Sequence, residues 1–124
     1  MKRVLVIEDN SDNLNLISYA LRHAGYEVIA AATGEEGVEL ALREKFTFII
    51  MDIQLPGIDG LETTKRIRVS ETAGEVPIVA ITSFAMRGDM EKVLAAGCNA
   101  YFEKPIDPLT IVKSIQRALG LGAP

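Results

Sequence analysis

Five side chains able to handle a phosphorylated or metal-bound group stand directly behind short apolar runs of this chain. Glu8 and Asp9 follow RVLVI, Asp52 follows TFIIM, Thr82 follows PIVAI, and Lys104 comes second after AYF. Glu8 and Lys104 are 96 positions apart. If each run is a strand of one open α/β sheet, all five converge, because ligands in such sheets bind beyond the carboxyl ends of the strands. Three carboxylates gathered at one edge repel each other unless a raised pKa or a bound cation intervenes. Oxygen ligands with only a few carboxylates suit Mg²⁺, which keeps several waters and usually shares its shell with phosphate oxygens. Zinc does not fit, since His23 and Cys98 are each the sole residue of their type. A lysine on the far side of such a metal is the natural partner of a phosphoryl oxygen. The set points to phosphoryl chemistry at a carboxylate.

Taken singly, each residue has a quieter explanation. An acidic residue after a strand is often a helix N-cap, which applies to Asp9 or Asn10. Lys104 alone reads as a solvated loop lysine, and Thr82 alone as a strand-end threonine or the cap of the next helix. Asp52 is harder to dismiss, because it follows FIIM at the end of the run most suited to a central, buried strand. The joint placement at four strand ends carries the argument.

The elements that must position these residues are legible as an alternation. Apolar runs at residues 3–7, 27–31, 47–51, 77–81 and 100–102 are each followed by an amphipathic stretch of helical length. VLVI and FIIM are continuous rather than alternating, as expected of parallel strands covered on both faces. Residues 12–23 carry Leu14, Ile17, Ala20 and Leu21 near helical spacing, with Gly25 as the stop. Thr33 and Glu36 form a capping box ahead of Val38, Leu40, Ala41 and Leu42. A third helix follows the turn at residues 56–60, and Met86, Met90, Val93 and Leu94 mark a fourth, closed by Gly97. Asp107 and Pro108 are read as N-cap and first helical position of a fifth, running through Ile111, Ile115 and Leu119. Five strand-helix alternations with right-handed crossovers place helices on both faces of a five-stranded parallel sheet.

Composition bounds what such a domain can do. The 124 residues are one domain's worth, 48% hydrophobic and 24% charged, which excludes a disordered, collagenous or coiled-coil chain. Thirteen basic against seventeen acidic residues give a net charge of −4 without a basic run, so nucleic acid and anionic membranes are disfavoured as direct partners. One cysteine fits a reducing compartment, and no apolar run has the length of a signal-peptide core or a membrane span. The expectation is a soluble, cytoplasmic domain spanning residues 1–124, with 120–124 as a tail or the start of a linker.

VLVIEDN, IIMDIQLPGIDG, VAITS and YFEKP together resemble the bacterial response-regulator receiver domain, the CheY-like family. The resemblance runs from Arg3 to about Leu119. It implies a flavodoxin-like doubly wound (βα)5 fold with strand order 2-1-3-4-5. It implies that Asp52 is a phosphoacceptor in a two-component phosphorelay, charged by a histidine kinase, a histidine phosphotransfer protein or a small phosphodonor. Asp9 would then bind Mg²⁺ directly and Glu8 through water, with Asp52 and the backbone carbonyl of Gln54 completing the set and Mn²⁺ as a substitute ion. Thr82 would hydrogen-bond the phosphoryl group, Lys104 would pair with it, and Tyr101 would be the switch aromatic. Lys104–Pro105 matches the family's cis peptide, an arrangement that proline alone makes cheap.

On this reading the domain is a switch that catalyses only its own phosphorylation and dephosphorylation. The face formed by the fourth helix, fifth strand and fifth helix would regulate a downstream protein target or output domain, with phosphorylation-dependent homodimerisation through those helices as a further option. Glu8-Asp9 replaces the Asp-Asp pair of many relatives. Gln54 and Phe84 hold positions that flank the path of attacking water, where they would tune phosphoryl lifetime. Phe84 and Met86 are core or a partner-binding patch, His23 a helix-surface residue, and Cys98 buried filler. A haloacid-dehalogenase-type phosphatase would need a second aspartate where Gln54 stands. A flavodoxin-like cofactor binder would need a phosphate loop where Glu8-Asp9-Asn10 stands. An adaptor independent of phosphorylation would have no need of the full set of site residues.

Overall fold

Continuous apolar runs of five residues can bury both faces only inside a sheet with helices on either side. The computed structural model, which describes residues 2–83 and 89–122, has that arrangement. Its elements alternate as β1 (Arg3–Ile7), α1 (Ser11–His23), β2 (Glu27–Ala31), α2 (Gly34–Arg43), β3 (Phe48–Asp52), α3 (Gly60–Arg68), β4 (Ile78–Thr82), α4 (Asp89–Ala96), β5 (Ala100–Glu103) and α5 (Ile111–Leu119). All strand pairs are parallel, in the order β2-β1-β3-β4-β5. β3 is central, and every one of its residues is buried.

Strand residues pointing to opposite faces build two cores. Val4, Val6, Phe48, Ile50, Val79 and Ile81 meet Ile17 and Leu21 of α1 and Ile111 and Ile115 of α5. Leu5, Ile7, Ile49, Met51, Ile78 and Ala80 meet Ala41 of α2, Ile67 of α3 and Val93 of α4. Alternate residues of one strand thus serve different layers, as the pleat requires.

Several boundaries differ from the sequence expectation, each for a local reason. β3 and β4 start and end one residue later than their apolar runs, because the ladder continues until Asp52 pairs with Ile81 and Thr82 with Glu103. Asp52 and Thr82 are therefore the last residues of their strands rather than the first of the loops. The cap of α1 is Asn10, whose Oδ1 accepts the Asn13 N–H at 2.9 Å. Thr33 caps α2 as expected, while Glu36 reaches back to the N–H of Ala32. α5 begins at Ile111 with Thr110 in the N-cap position, not at Pro108. Asp107 instead organises a preceding turn: its Oδ1 accepts from the Leu109 N–H, and its carbonyl accepts from Thr110 and Ile111. Phe84, Met86 and the tail residues 123 and 124 lie outside the described residues. Among the described residues no helix is long and apolar enough to cross a membrane.

Candidate functional site

Parallel strands all end at the same edge, so the polar residues behind them gather without long loops to carry them there. Asp52 closes the central strand, flanked by the ends of β1 and β4. Glu8 is held just beyond β1 by the hydrogen bond of its N–H to the Ala31 carbonyl at 2.9 Å. Lys104 is likewise held beyond β5, its N–H donating to the Thr82 carbonyl at 2.8 Å, and the Lys104–Pro105 peptide is cis. On the opposite side of Asp52 the chain turns into α3, where Gly60 passes so close that a Cβ would lie 2.7 Å from the Asp52 carbonyl oxygen. Only glycine permits that approach.

The side chains meet as their spacing suggested. Lys104 Nζ is 2.8 Å from Glu8 Oε1 and 3.2 Å from Asp52 Oδ2. Glu8 Oε2 accepts the Asn10 N–H at 3.3 Å, and Asp52 Oδ1 accepts the Gln54 N–H at 3.0 Å. Glu8, Asp52 and Thr82 are buried, while Asp9 is exposed at the rim. Because Asn10 serves as the cap of α1, Asp9 is left to the acidic cluster. One carboxylate oxygen from each of Glu8, Asp9 and Asp52 lies within 4.8 Å of the others.

Charge at this edge is unbalanced. Burial pushes the Glu8 carboxyl up to about 7, against the lowering pull of Lys104 and with Asp52 adding to the rise. Burial works to lower Lys104, yet its hydrogen bond to Glu8 and the charge of Asp52 outweigh it and hold the ammonium above its ordinary value. A single lysine cannot neutralise three carboxylates. The donor set, all hard oxygen with one exposed carboxylate at the rim, fits a small divalent cation such as Mg²⁺.

The side chain of Gln54 also reaches across this edge. Its Nε2 donates to Thr82 Oγ1 at 2.8 Å, and its Oε1 accepts the Ser83 N–H at 3.3 Å. Position alone placed Gln54 near the site; nothing in the sequence announced that its side chain would span the gap to β4. Tyr101 is half-buried and, with Thr82, Gln54, Leu61 and Lys92, lines a cavity of about 200 Å³. His23 is exposed and stacks on Tyr19 of its own helix, away from these groups. Cys98 is buried beside Thr64.

The model of the response regulator receiver domain family matches residues 4–116. The chain is 40% identical over 119 residues to the polar-differentiation response regulator DivK of Brucella ovis, covering 96% of this chain and 97% of that protein. It is similar in structure to the receiver domain of the sensor histidine kinase PA1611 from Pseudomonas aeruginosa, which has a magnesium ion coordinated in its active-site cleft. That comparison gives a TM-score of 0.87 and 39% identity, over 96% of this chain and 98% of the other. Chemotaxis protein CheY4 of Vibrio cholerae gives a TM-score of 0.89 and 31% identity, over 95% and 98% of the two chains. This chain belongs to the response regulator receiver domain family. Its fold is CheY-like, and its class is the signalling switch of two-component systems rather than a metabolic enzyme.

Proposed function

We propose that this domain is a phosphorylation-controlled switch in a histidine-to-aspartate relay, with Asp52 as the phosphoacceptor. The observation that carries the reading is the ammonium of Lys104 placed between Glu8 and Asp52 at the end of the central strand. Asp52 is the acidic side chain that is buried, in contact with a cation and at the end of the central strand. Glu8 and Asp9, from the neighbouring strand end, would hold the metal with Asp52 and the Gln54 carbonyl. When bound there, Mg²⁺ would supply positive charge beside the phosphoryl oxygens as the acyl phosphate forms and breaks. The magnesium in the similar Pseudomonas receiver domain supports the same choice of ion.

In the transfer, an oxygen of the Asp52 carboxylate forms a bond to phosphorus as the bond from phosphorus to the donor breaks. The donor is a phosphohistidine of a histidine kinase or phosphotransfer protein. The bonding pair departs with its imidazole nitrogen, which takes a proton from solvent. The transition state is loose and spreads charge over the equatorial oxygens, which Lys104 and the Thr82 hydroxyl can meet. Hydrolysis returns the Asp52 carboxylate and releases inorganic phosphate, so the signal is transient.

The phosphoryl group carries a charge of about −1.5 to −2 where the carboxylate carried −1, and its acceptor oxygens draw Thr82 inward. Tyr101 then turns into the cavity that it shares with Thr82, and the face of α4, β5 and α5 changes for a protein partner or a second copy. Converting a population from 1:99 to 99:1 takes about 5.5 kcal/mol, which several charge-assisted hydrogen bonds can provide. Incubation with acetyl phosphate and Mg²⁺ is expected to add about 80 Da to the intact protein, and Asp52→Asn to take up nothing. A folded wild-type protein that gains no mass would overturn the proposal.

A further inference from the structure

A solvent-exposed glutamine ordinarily leaves its carboxamide to water. That of Gln54 is held at both ends, its Nε2 by Thr82 Oγ1 at 2.8 Å and its Oε1 by the Ser83 N–H at 3.3 Å. The backbone of Gln54 is fixed as well, since its N–H donates to Asp52 Oδ1 at 3.0 Å. The amide therefore forms a two-point strap from the β3–α3 loop to the end of β4. Thr82 and Ser83 are the next residues beyond Ile81, which faces Asp52 in the sheet register.

We propose that the Gln54 carboxamide is a latch that competes with the phosphoryl group for the Ser83 N–H and the Thr82 hydroxyl, and so biases the domain toward its unmodified form. This rests on the reading of Asp52 as phosphoacceptor. The competition is a matter of donor counting. A phosphoryl group on Asp52 offers only acceptors. The Ser83 amide has a single hydrogen, and Gln54 Oε1 now takes it. The Thr82 hydroxyl can accept and donate at once, but drawing it toward Asp52 pulls Oγ1 off the Gln54 Nε2–H. Both contacts must open before the new ones close. The released amide has somewhere to go, because Gln54 lines the cavity of about 200 Å³ beside Tyr101 and Lys92. Gln54 is a positioning residue here, acting on the phosphoryl group through Thr82 and Ser83 rather than by touching it.

Removing two neutral hydrogen bonds at their usual net worth should tighten binding of a phosphoryl mimic by roughly thirtyfold. The probe is beryllium fluoride with Mg²⁺, titrated into the full chain while amide resonances are followed by NMR. Two variants are compared with wild type. Gln54→Met keeps the length of the side chain and loses both hydrogen bonds; Gln54→Asn keeps the amide and shortens its reach. Both are expected to bind the mimic more tightly than wild type and, before any addition, to show faster hydrogen exchange at the Ser83 amide. That second readout separates a latch from an unspecific change near the site. Equal or weaker binding by both variants, or a Ser83 amide that exchanges as in wild type, would overturn the latch alone. Divergence of Met from Asn in affinity would also overturn it, assigning the effect to bulk or polarity instead. A wild-type protein that takes up no mimic would overturn the phosphoacceptor reading and the latch together.

Discussion

Glu8 and Asp52 lose most of their water at the sheet edge and share one ammonium, and at Glu8 the burial is felt as a raised pKa. Glu8 has its pKa raised from 4.5 to about 7 by burial. A folded-state value above the unfolded one means that the native protein holds a proton the unfolded chain has released. The resulting stabilisation is fully present below about pH 4.5 and disappears as pH rises through 7. Metal-free protein should therefore lose melting temperature between pH 5 and 7 through this group, and Glu8→Gln should flatten that limb. On the proposed function Mg²⁺ would draw on the Glu8 carboxylate that the proton occupies, so its affinity should rise over the same interval. Calorimetric titration at several pH values checks this; an affinity independent of pH from 5 to 8 would contradict it. At this scale the sequence was informative about residue types and blind to reach. Asp52 is legible because it ends an unbroken apolar run, and Lys104 only because other charged groups end the parallel runs. The Gln54 amide was invisible, since whether it spans to Thr82 depends on the path of the β3–α3 loop rather than on its spacing from Asp52.

Between residues and fold stand the elements, and here α3 is tied to its neighbours by one guanidinium. Arg68 donates from Nε to the Gly97 carbonyl at 2.9 Å, from Nη1 to the carbonyls of Gly74 and Val76, and from Nη2 to Asn99 Oδ1 at 2.8 Å. Asn99 Oδ1 also accepts the Ile78 N–H that opens β4. Arg68→Ala should cost about 2–3 kcal/mol in urea unfolding, as charged hydrogen bonds to several acceptors are lost together. Arg68→Lys should recover only part, because an ammonium lacks the planar fork. A loss under about 0.5 kcal/mol for Arg68→Ala would show that water replaces the clasp. Gly97 serves the same junction: its φ is +116°, and a Cβ would lie 2.8 Å from Arg68 Cγ. None of this can be read from apolar periodicity, and the Asp107-Pro108 capping signature put the start of α5 at Pro108 rather than Ile111. There Asp107 forms a turn of its own before the apolar face begins at Ile111. The general lesson is that periodicity reports which face is buried, whereas helix starts follow from hydrogen bonds that compete locally.

The whole molecule separates its apolar packing from its charged site by position on the sheet. Its two cores fill the layers on either side of the sheet, while the charged groups lie along one edge of it. Ile115→Ala in the fully buried contact of α5 with the sheet should cost about 3 kcal/mol in unfolding. Mg²⁺ affinity should stay within about twofold of wild type, since sites that share no partners are additive. Conversely, Thr82→Ala should lose only about 1 kcal/mol with its hydrogen bond to Gln54 and differ in its response to a phosphodonor. The apolar runs joined by helices indicated five parallel strands covered on both faces, and the strand order came from the resemblance to the CheY-like family. That same topology brings residues 8, 52 and 104 to one edge, so fold and site were read from one pattern. The most direct test of the central claim is to treat the protein with acetyl phosphate and Mg²⁺, reduce it with borohydride and sequence its peptides by mass spectrometry. Hydride converts an aspartyl phosphate to homoserine and releases phosphate. The account predicts homoserine at position 52 and at no other aspartate; homoserine at Asp9, at another aspartate, or at none would contradict it.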